Sequence, residues 1–344
     1  MAEKTRSTKA VGSASRRPKA GAAARFTRLS IIAPIFNEIE NLPELYRRVT
    51  AVMTSMRVDW ELLLVDDGST DGSTEAIRSL ARTDAHVRPI IFARNFGHQI
   101  AVTAGLDYCR GQAAVIIDAD LQDPPELIPD LVAKWREGYE VVYAVRAERE
   151  GETWFKRVTA SAFYRIIYRI TDVKIPLDVG DFRLLDRQVI DTLKCMRERH
   201  RFLRGMAAWV GFRQTGVEYK RAARKAGVTK YPFRKMLRLA LNAVTGFSYF
   251  PLQLATYLGF ISAGLSVLAI PVVIITRLIG HQAFFGQAST LIAVLFLGGV
   301  QLISLGILGE YIGRLYDEAK GRPLYVARET PSEDGAPAGK RLQP

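Results

Sequence analysis

The sequence predicts an α/β domain built on a mostly parallel sheet flanked by helices, followed by interfacial amphipathic helices and a C-terminal two-helix transmembrane hairpin. Three observations carry that expectation. Short β-rich runs alternate with helical patterns from Leu29 onward, the acids of Asp118-Ala119-Asp120 close one of those runs, and two uncharged stretches of membrane-crossing length come late in the chain. Alternation at this spacing implies right-handed crossovers, and sheets so built bind ligands beyond the carboxyl ends of their strands.

Strands are expected at Leu29–Ala33, Trp60–Val65, Val87–Ala93, Ala113–Ile117 and Tyr139–Val145, with helices near Asn41–Met56, Ser73–Arg82, His98–Cys109 and Pro125–Glu137. Polar residues follow each strand: Asn37 and Glu38, Asp66 and Asp67, Arg94 and Asn95, Asp118 and Asp120, then Arg146. Five strand ends presenting such groups to one rim are better explained by a shared polar ligand than by an ordinary surface.

Beyond the sheet, Glu152–Ile170 carries one stripe of Trp154, Val158, Ala162, Ile166 and Ile170 and a second of Arg157, Ser161, Arg165 and Arg169. That pattern suits a helix on a membrane surface and equally a helix packed on its own domain. Tyr231–Phe247 repeats the pattern just before an apolar run, which favours the interface. Leu252–Thr276 holds 25 uncharged residues and Gly286–Gly309 is nearly as long, each beyond the about 20 needed to cross the hydrocarbon as a helix. The link Arg277–Phe285 carries one clear positive charge, whereas Lys220–Arg238, Arg314, Lys320 and Arg322 lie on the other side. The bias places the soluble domain and both termini in the cytoplasm, at the inner membrane. The expected divisions are a basic arm over 1–28, a catalytic domain over 29–230, a juxtamembrane helix over 231–250, two spans over 251–314 and a tail over 315–344.

The formal charge of +13 is uneven: residues 1–28 hold eight Lys/Arg against Glu3 alone, and residues 220–238 hold eight with no acid. A near-neutral body with basic segments beside apolar spans points to anionic lipid headgroups rather than nucleic acid. The basic arm lacks the apolar core of a secretory signal and reads as disordered; lipid attraction, solubility and a transit peptide explain it equally. Cys109 and Cys195 have no paired spacing, so neither a disulfide framework nor a zinc site is implied. His86, His98, His200 and His281 form no evident metal or nucleophile set and read as surface or packing residues.

Asp118 and Asp120 suit a divalent cation that neutralises a departing diphosphate. Alone an Asp-x-Asp is weak; its place after an apolar strand, with Pro124-Pro125 opening a helix, strengthens it. Asp66-Asp67-Gly68-Ser69-Thr70-Asp71-Gly72 is not a calcium loop, because the twelfth position counted from Asp67 is Arg78 rather than the required Glu. Asp71 or Ser73 is expected to cap a helix and Asp67 to contact a ligand. No Walker-type loop, Gly-x-Gly-x-x-Gly fingerprint or His-Glu-x-x-His occurs.

Five motifs occur in order ahead of the two spans: Pro34-Ile35-Phe36-Asn37-Glu38, Val65-Asp66-Asp67-Gly68-Ser69, Asp118-Ala119-Asp120-Leu121-Gln122, Gly180-Asp181-Phe182-Arg183 and Thr229-Lys230-Tyr231. Together they resemble the polyprenyl-phosphate glycosyltransferases, similar to dolichyl-phosphate mannose synthase and closer to bacterial bactoprenol glucosyltransferases, over about Leu29 to Tyr325. The resemblance implies a GT-A-like fold, a homo-oligomer, and Mg²⁺ or Mn²⁺ at Asp118 and Asp120. It implies that Pro34, Phe36, Asn37, Glu38, Val65 and Asp67 hold the nucleotide sugar, UDP-glucose being the donor expected. Asp118, Ala119 and Gln122 join them at the diphosphate. Arg146, Arg157, Ser161, Arg183, Arg224 and Lys230 are assigned to the polyprenyl phosphate acceptor, and Asp181, Asp120 and Arg146 to catalysis. Arg165, Arg169 and Arg238 are expected to meet headgroups only.

A lipid phosphate is already anionic near neutral pH and needs no strong base to attack a sugar carbon, so single displacement with inversion is expected. Two other functions fit a donor-binding fold. A processive polysaccharide synthase would carry a Gln-x-x-Arg-Trp motif where this chain has Arg201-Phe202-Leu203-Arg204-Gly205, and usually has more spans. A membrane-anchored nucleotide-sugar sensor would bind without turnover, which the intact acid pair disfavours.

Overall fold

The computed structural model describes residues 28–146, 179–219, 248–279 and 287–331. Strands β1 (Arg28–Ile35), β2 (Asp59–Asp66), β3 (Val87–Phe92) and β4 (Ala113–Ile116) alternate with helices α1 (Leu42–Met56), α2 (Ser73–Thr83) and α3 (His98–Tyr108), as their patterns require. Helix α1 buries Leu42, Leu45, Val49, Val52 and Met53, a stripe at helical spacing, and stops at Arg57 in the left-handed region. α4 (Ile128–Arg136) leads to β5 (Val141–Arg146). The first four strands are parallel to one another: β1 pairs with β2 and β4, and β2 with β3.

The sheet is larger than the expected five strands. Among the described residues it has eight, in the order β7-β5-β6-β4-β1-β2-β3-β8. β6 (Val179–Asp186) inserts between β4 and β5, antiparallel to both, and β7 (Gln214–Tyr219) runs parallel to β5 on one edge. Because β4 and β5 both oppose β6, they run in the same direction, and the carboxyl ends of β1 to β5 share one edge of the sheet. Helices α5 (Arg187–Cys195) and α6 (Leu203–Trp209) follow β6.

Two apolar layers cover the sheet. One face packs α1, α2 and α4 through residues such as Leu45, Ile77 and Leu131, and the other packs α3, α5 and α6 through Ala101, Ile190 and Met206. Helix α3 lies so close to β1 that a Cβ at Gly105 would fall 2.2 Å from Ile32 Cγ2, which only glycine permits.

The late apolar runs form α7 (Phe250–Leu278) and α8 (Gln287–Ala319), two helices long and apolar enough to cross a membrane. Their large side chains stay exposed, Phe260 at 73% and Leu302 at 72%, a surface unsuited to water. α8 runs ten residues past the uncharged stretch expected to end at Gly309, reaching Ala319. The chain beyond it then returns to the sheet: β8 (Ala327–Glu329) pairs antiparallel with β3, and Tyr325 stacks on Phe92 at 5.1 Å. The amphipathic segments expected at 152–170 and 231–247 lie outside the described residues.

Candidate functional site at the carboxyl edge of the sheet

Antiparallel pairing explains how the site assembles. β4 and β6 align Ile116 with Arg183, and carrying that register two residues onward sets Asp118 opposite Asp181. The carboxyl end of one strand and the amino end of its neighbour therefore bring two acids to the same edge. His98, the first residue of α3, stands between them: its Nε2 lies 3.3 Å from Asp181 Oδ2 and 3.6 Å from Asp118 Oδ1. His98, expected to be a surface or packing residue, has a side chain 41% exposed, and the fold adds that it pairs with both acids. Its position directly after the third strand-end loop was the available signal.

Asp181 is fixed by two side-chain donors besides His98. Arg204 Nε donates to Oδ1 at 2.7 Å and Gln99 Nε2 to Oδ2 at 3.2 Å. Burial alone would raise its pKa, but His98 and the Arg204 charge outweigh burial and keep it well below the usual carboxylate value. An acid so stabilised remains ionised and is a poor proton acceptor. Burial in turn would lower the His98 pKa, yet its bond to Asp181 and the charge of Asp118 raise it.

Asp118 is the opposite case. Its Oδ1 is shut from solvent and accepts no hydrogen bond. Burial pushes its pKa up to about 6, and the nearby Asp181, Asp123 and Asp120 add to the shift against the opposing influence of His98. A buried carboxylate oxygen without a donor is costly, and a bound cation would remove the cost. Asp120 Oδ1 accepts the backbone N–H of Gln122 at 3.1 Å, across a turn in which Leu121 adopts φ 59°. Among the described residues no three His, Cys, Asp or Glu side chains converge as a ready-made metal cage. The donor set nevertheless fits Mg²⁺ or Mn²⁺, hard cations often held by one or two carboxylates with substrate phosphates and water. Asp123, on the same turn, accepts the Tyr219 hydroxyl at 2.5 Å and ties the turn to β7.

The other expected residues divide into exposed and internal ones. Phe36 is 47% exposed at the end of β1, a free aromatic face beside the rim. Pro34 and Val65 sit opposite one another in the β1–β2 register. Asn37, at φ 57°, accepts the Thr70 N–H, while Glu38 accepts from the Asn41 amide at 2.6 Å. Asp71 accepts Ile39 N–H and the Ser73 N–H and hydroxyl and so organises the turn, but the N-cap of α2 is Gly72, without a side-chain cap, rather than the expected Asp71 or Ser73. Asp67, expected at a ligand, is 3% exposed and accepts the N–H groups of Phe96 and Gly97. It holds the loop before α3. Gly68, at φ +74°, lets that loop close, since a Cβ there would lie 2.6 Å from the Arg94 carbonyl carbon.

Arg183 is 4% exposed and donates to Gly180 O at 2.9 Å, 3.9 Å from Asp181. Burial lowers its pKa to about 10, and it lies in the wall behind Asp181 rather than on the surface. Arg146 ends β5 on the common edge. Arg157, Ser161, Arg224 and Lys230 lie outside the described residues. Gln99, Arg204 and Asp123 were not anticipated; Arg204 carried a signal only as a basic residue in the 201–205 run.

Acids and basic partners at the carboxyl edge of a largely parallel sheet, joined to an exposed apolar hairpin, define a membrane-associated enzyme for a polar ligand. Comparison with known proteins makes the class specific. The chain belongs to glycosyl transferase family 2: residues 30–194 match that family and residues 250–315 match the GtrB C-terminal hairpin. It is 50% identical over 306 residues to the uncharacterized glycosyltransferase YkcC of Bacillus subtilis, covering 89% of this chain and 95% of that one. It is 43% identical over 303 residues to the bactoprenol glucosyl transferase of Shigella phage SfII, covering 88% of this chain and 98% of that one. The protein is a glycosyltransferase with the expected GT-A-like architecture.

Proposed function

We propose that this enzyme moves one hexose, glucose, from UDP-glucose to a polyprenyl phosphate of the undecaprenyl type at the cytoplasmic face of the membrane, with inversion. The observation that carries the reading is the Asp118 carboxylate, whose Oδ1 is buried without a hydrogen-bond donor beside the ionised Asp181. The likeness to bactoprenol glucosyl transferases over nearly the whole chain supports the acceptor class.

In the displacement, a phosphate oxygen of the acceptor forms a bond to the anomeric carbon while the carbon–oxygen bond to the nucleoside diphosphate breaks and its electron pair leaves with the diphosphate. A divalent cation held by Asp118 and Asp120 would supply Lewis-acid neutralisation of that leaving group. Asp181, kept anionic by Arg204 and His98, orients the reacting sugar and stabilises positive charge developing at its ring. The acceptor needs no general base because its phosphate is already ionised. Phe36, Glu38 and the Asp67-held loop border the nucleotide, with Pro34, Asn37, Val65, Ala119 and Gln122. Arg146, Arg157, Ser161, Arg183, Arg224 and Lys230 serve the lipid phosphate, Arg183 from behind Asp181. Purified enzyme incubated with undecaprenyl phosphate, Mg²⁺ or Mn²⁺ and a panel of nucleotide sugars tests this. A lipid carrying one hexose is expected; binding without product supports a sensor, and a long glycan a processive synthase.

A further inference from the structure

Among the described residues, the end of helix α8 bonds to the irregular turn 196–202 between α5 and α6. Glu318 Oε1 accepts the Arg199 backbone N–H at 2.7 Å, and Asp317 Oδ2 lies 3.4 Å from His200 Nε2. The Arg199 guanidinium reaches onward to the Arg322 carbonyl. Arg197 in the same turn pairs with Asp107 at 2.9 Å, and Asp107 also accepts the Tyr325 hydroxyl at 2.8 Å. The chain after α8 thus grips the turn from a second side.

The far end of the turn enters the active site. Leu203 N–H donates to Gln99 Oε1 at 3.0 Å, the amide of the same Gln99 donates to Asp181, and the next residue, Arg204, forms the ion pair with Asp181. Arg201, 8% exposed, fastens the middle of the turn to the Leu193 and Met196 carbonyls at the end of α5. A short, internally fastened segment therefore has the membrane helix at one end and the Asp181 partner at the other.

We infer that Asp317 and Glu318 are positioning residues for the transfer reaction: the end of a membrane helix holds the 196–202 turn so that Arg204 stays on Asp181. This rests on the reading of Asp181 as part of the transfer site. Each exposed contact contributes little to stability, so their worth lies in geometry, where a displacement of about 1 Å costs on the order of a hundredfold in rate. The arrangement also suits the substrates, because the acceptor is delivered from the bilayer and the donor from solution, and this turn links the parts that receive them.

The test uses the full-length protein in vesicles containing polyprenyl phosphate. Asp317→Ala with Glu318→Ala should lower kcat by about tenfold or more while leaving the donor KM and the thermal midpoint unchanged. Asp317→Asn with Glu318→Gln keeps the acceptor oxygens and should restore the rate. In an Arg204→Ala background the double alanine change should add no further loss, since both act on one interaction. Full activity of the alanine variant, equal losses from the amide variant, or additive losses with Arg204→Ala would overturn the inference. Should the wild-type protein make no sugar-lipid, the proposed function fails separately, and hydrogen exchange decides the inference. Faster exchange spreading from Arg199 to Leu203 in the alanine variant supports it, and acceleration confined to the end of α8 refutes it.

Discussion

Arg204 Nε and Asp181 Oδ1 meet at 2.7 Å, although 23 residues separate them, because β6 presents its amino end where α6 begins. Their pairing keeps an enclosed carboxylate ionised at the edge that also carries Asp118, whose buried Oδ1 accepts no hydrogen bond. Opposed demands on two nearby acids are what a site handling a departing diphosphate and an electron-poor sugar requires.

Replacing Arg204 with Ala should therefore reduce transfer by about a hundredfold or more, the scale of losing one preorganised electrostatic partner. Arg204→Lys should recover part of the rate, since it restores charge but not the guanidinium geometry. Steady-state assays of both variants, with folding checked by circular dichroism, decide the matter; wild-type turnover in Arg204→Ala would remove the pair from the mechanism.

Asp118→Asn should abolish transfer and the response to added Mg²⁺ or Mn²⁺ without lowering the melting temperature of the metal-free protein. Its Oδ1 accepts no hydrogen bond, so removing the charge relieves a burial cost and gives up only the 3.6 Å approach to His98. Differential scanning fluorimetry in EDTA, repeated with cation, measures this. Stabilisation of the variant by cation equal to that of wild type would contradict the assignment.

Much of this site was legible in the residue order and part was not. The Asp118-Ala119-Asp120 turn and the acids after β2 stood out because each follows a continuous apolar strand. β6 did not: Val179–Asp186 carries Asp181, Arg183 and Asp186, and a buried arginine 4% exposed breaks the apolar pattern that marks an inner strand. β7 is a polar edge strand and β8 only three residues long, so neither has a periodicity to read. Antiparallel pairing between β4 and β6 brings Asp118 to Asp181, and the starts of α3 and α6 bring His98 and Arg204 to the same acid, long-range relations that local periodicity does not carry. Asp67 shows the reverse, an acid that looked outward in sequence and turned inward onto backbone N–H groups.

Stability should fall in acid through Glu61, which lies 2% exposed on β2. Burial would raise its pKa, but the Ser30 hydroxyl, the Arg110 N–H and Arg88 together lower it from 4.5. A depressed carboxylate contributes fully above its unfolded value and loses that contribution as pH falls through the folded one. Glu61→Gln should flatten the loss of stability below about pH 4.5 and cost about 3 kcal/mol at neutral pH by leaving Arg88, bonded otherwise to the Tyr108 carbonyl, without its counter-charge. Urea titrations of the full chain in detergent at several pH values test both parts; an unchanged acid limb would refute the role.

Gly68→Ala should cost more than about 2 kcal/mol, since it combines left-handed strain with a clash against backbone. The 93–97 loop would be forced away from Asp67, and nucleotide affinity should fall with it. Calorimetry with UDP reads the second effect, and undiminished affinity in a folded variant would separate that loop from the donor site.

The most direct measurement of the central claim is mass spectrometry of the lipid fraction after incubating the enzyme with undecaprenyl phosphate, a divalent cation and a panel of nucleotide sugars. The account predicts one hexose added per lipid phosphate, with UDP-glucose the best donor and no product from Asp118→Asn. A lipid left unmodified by every donor, or extended into a polymer, would contradict it.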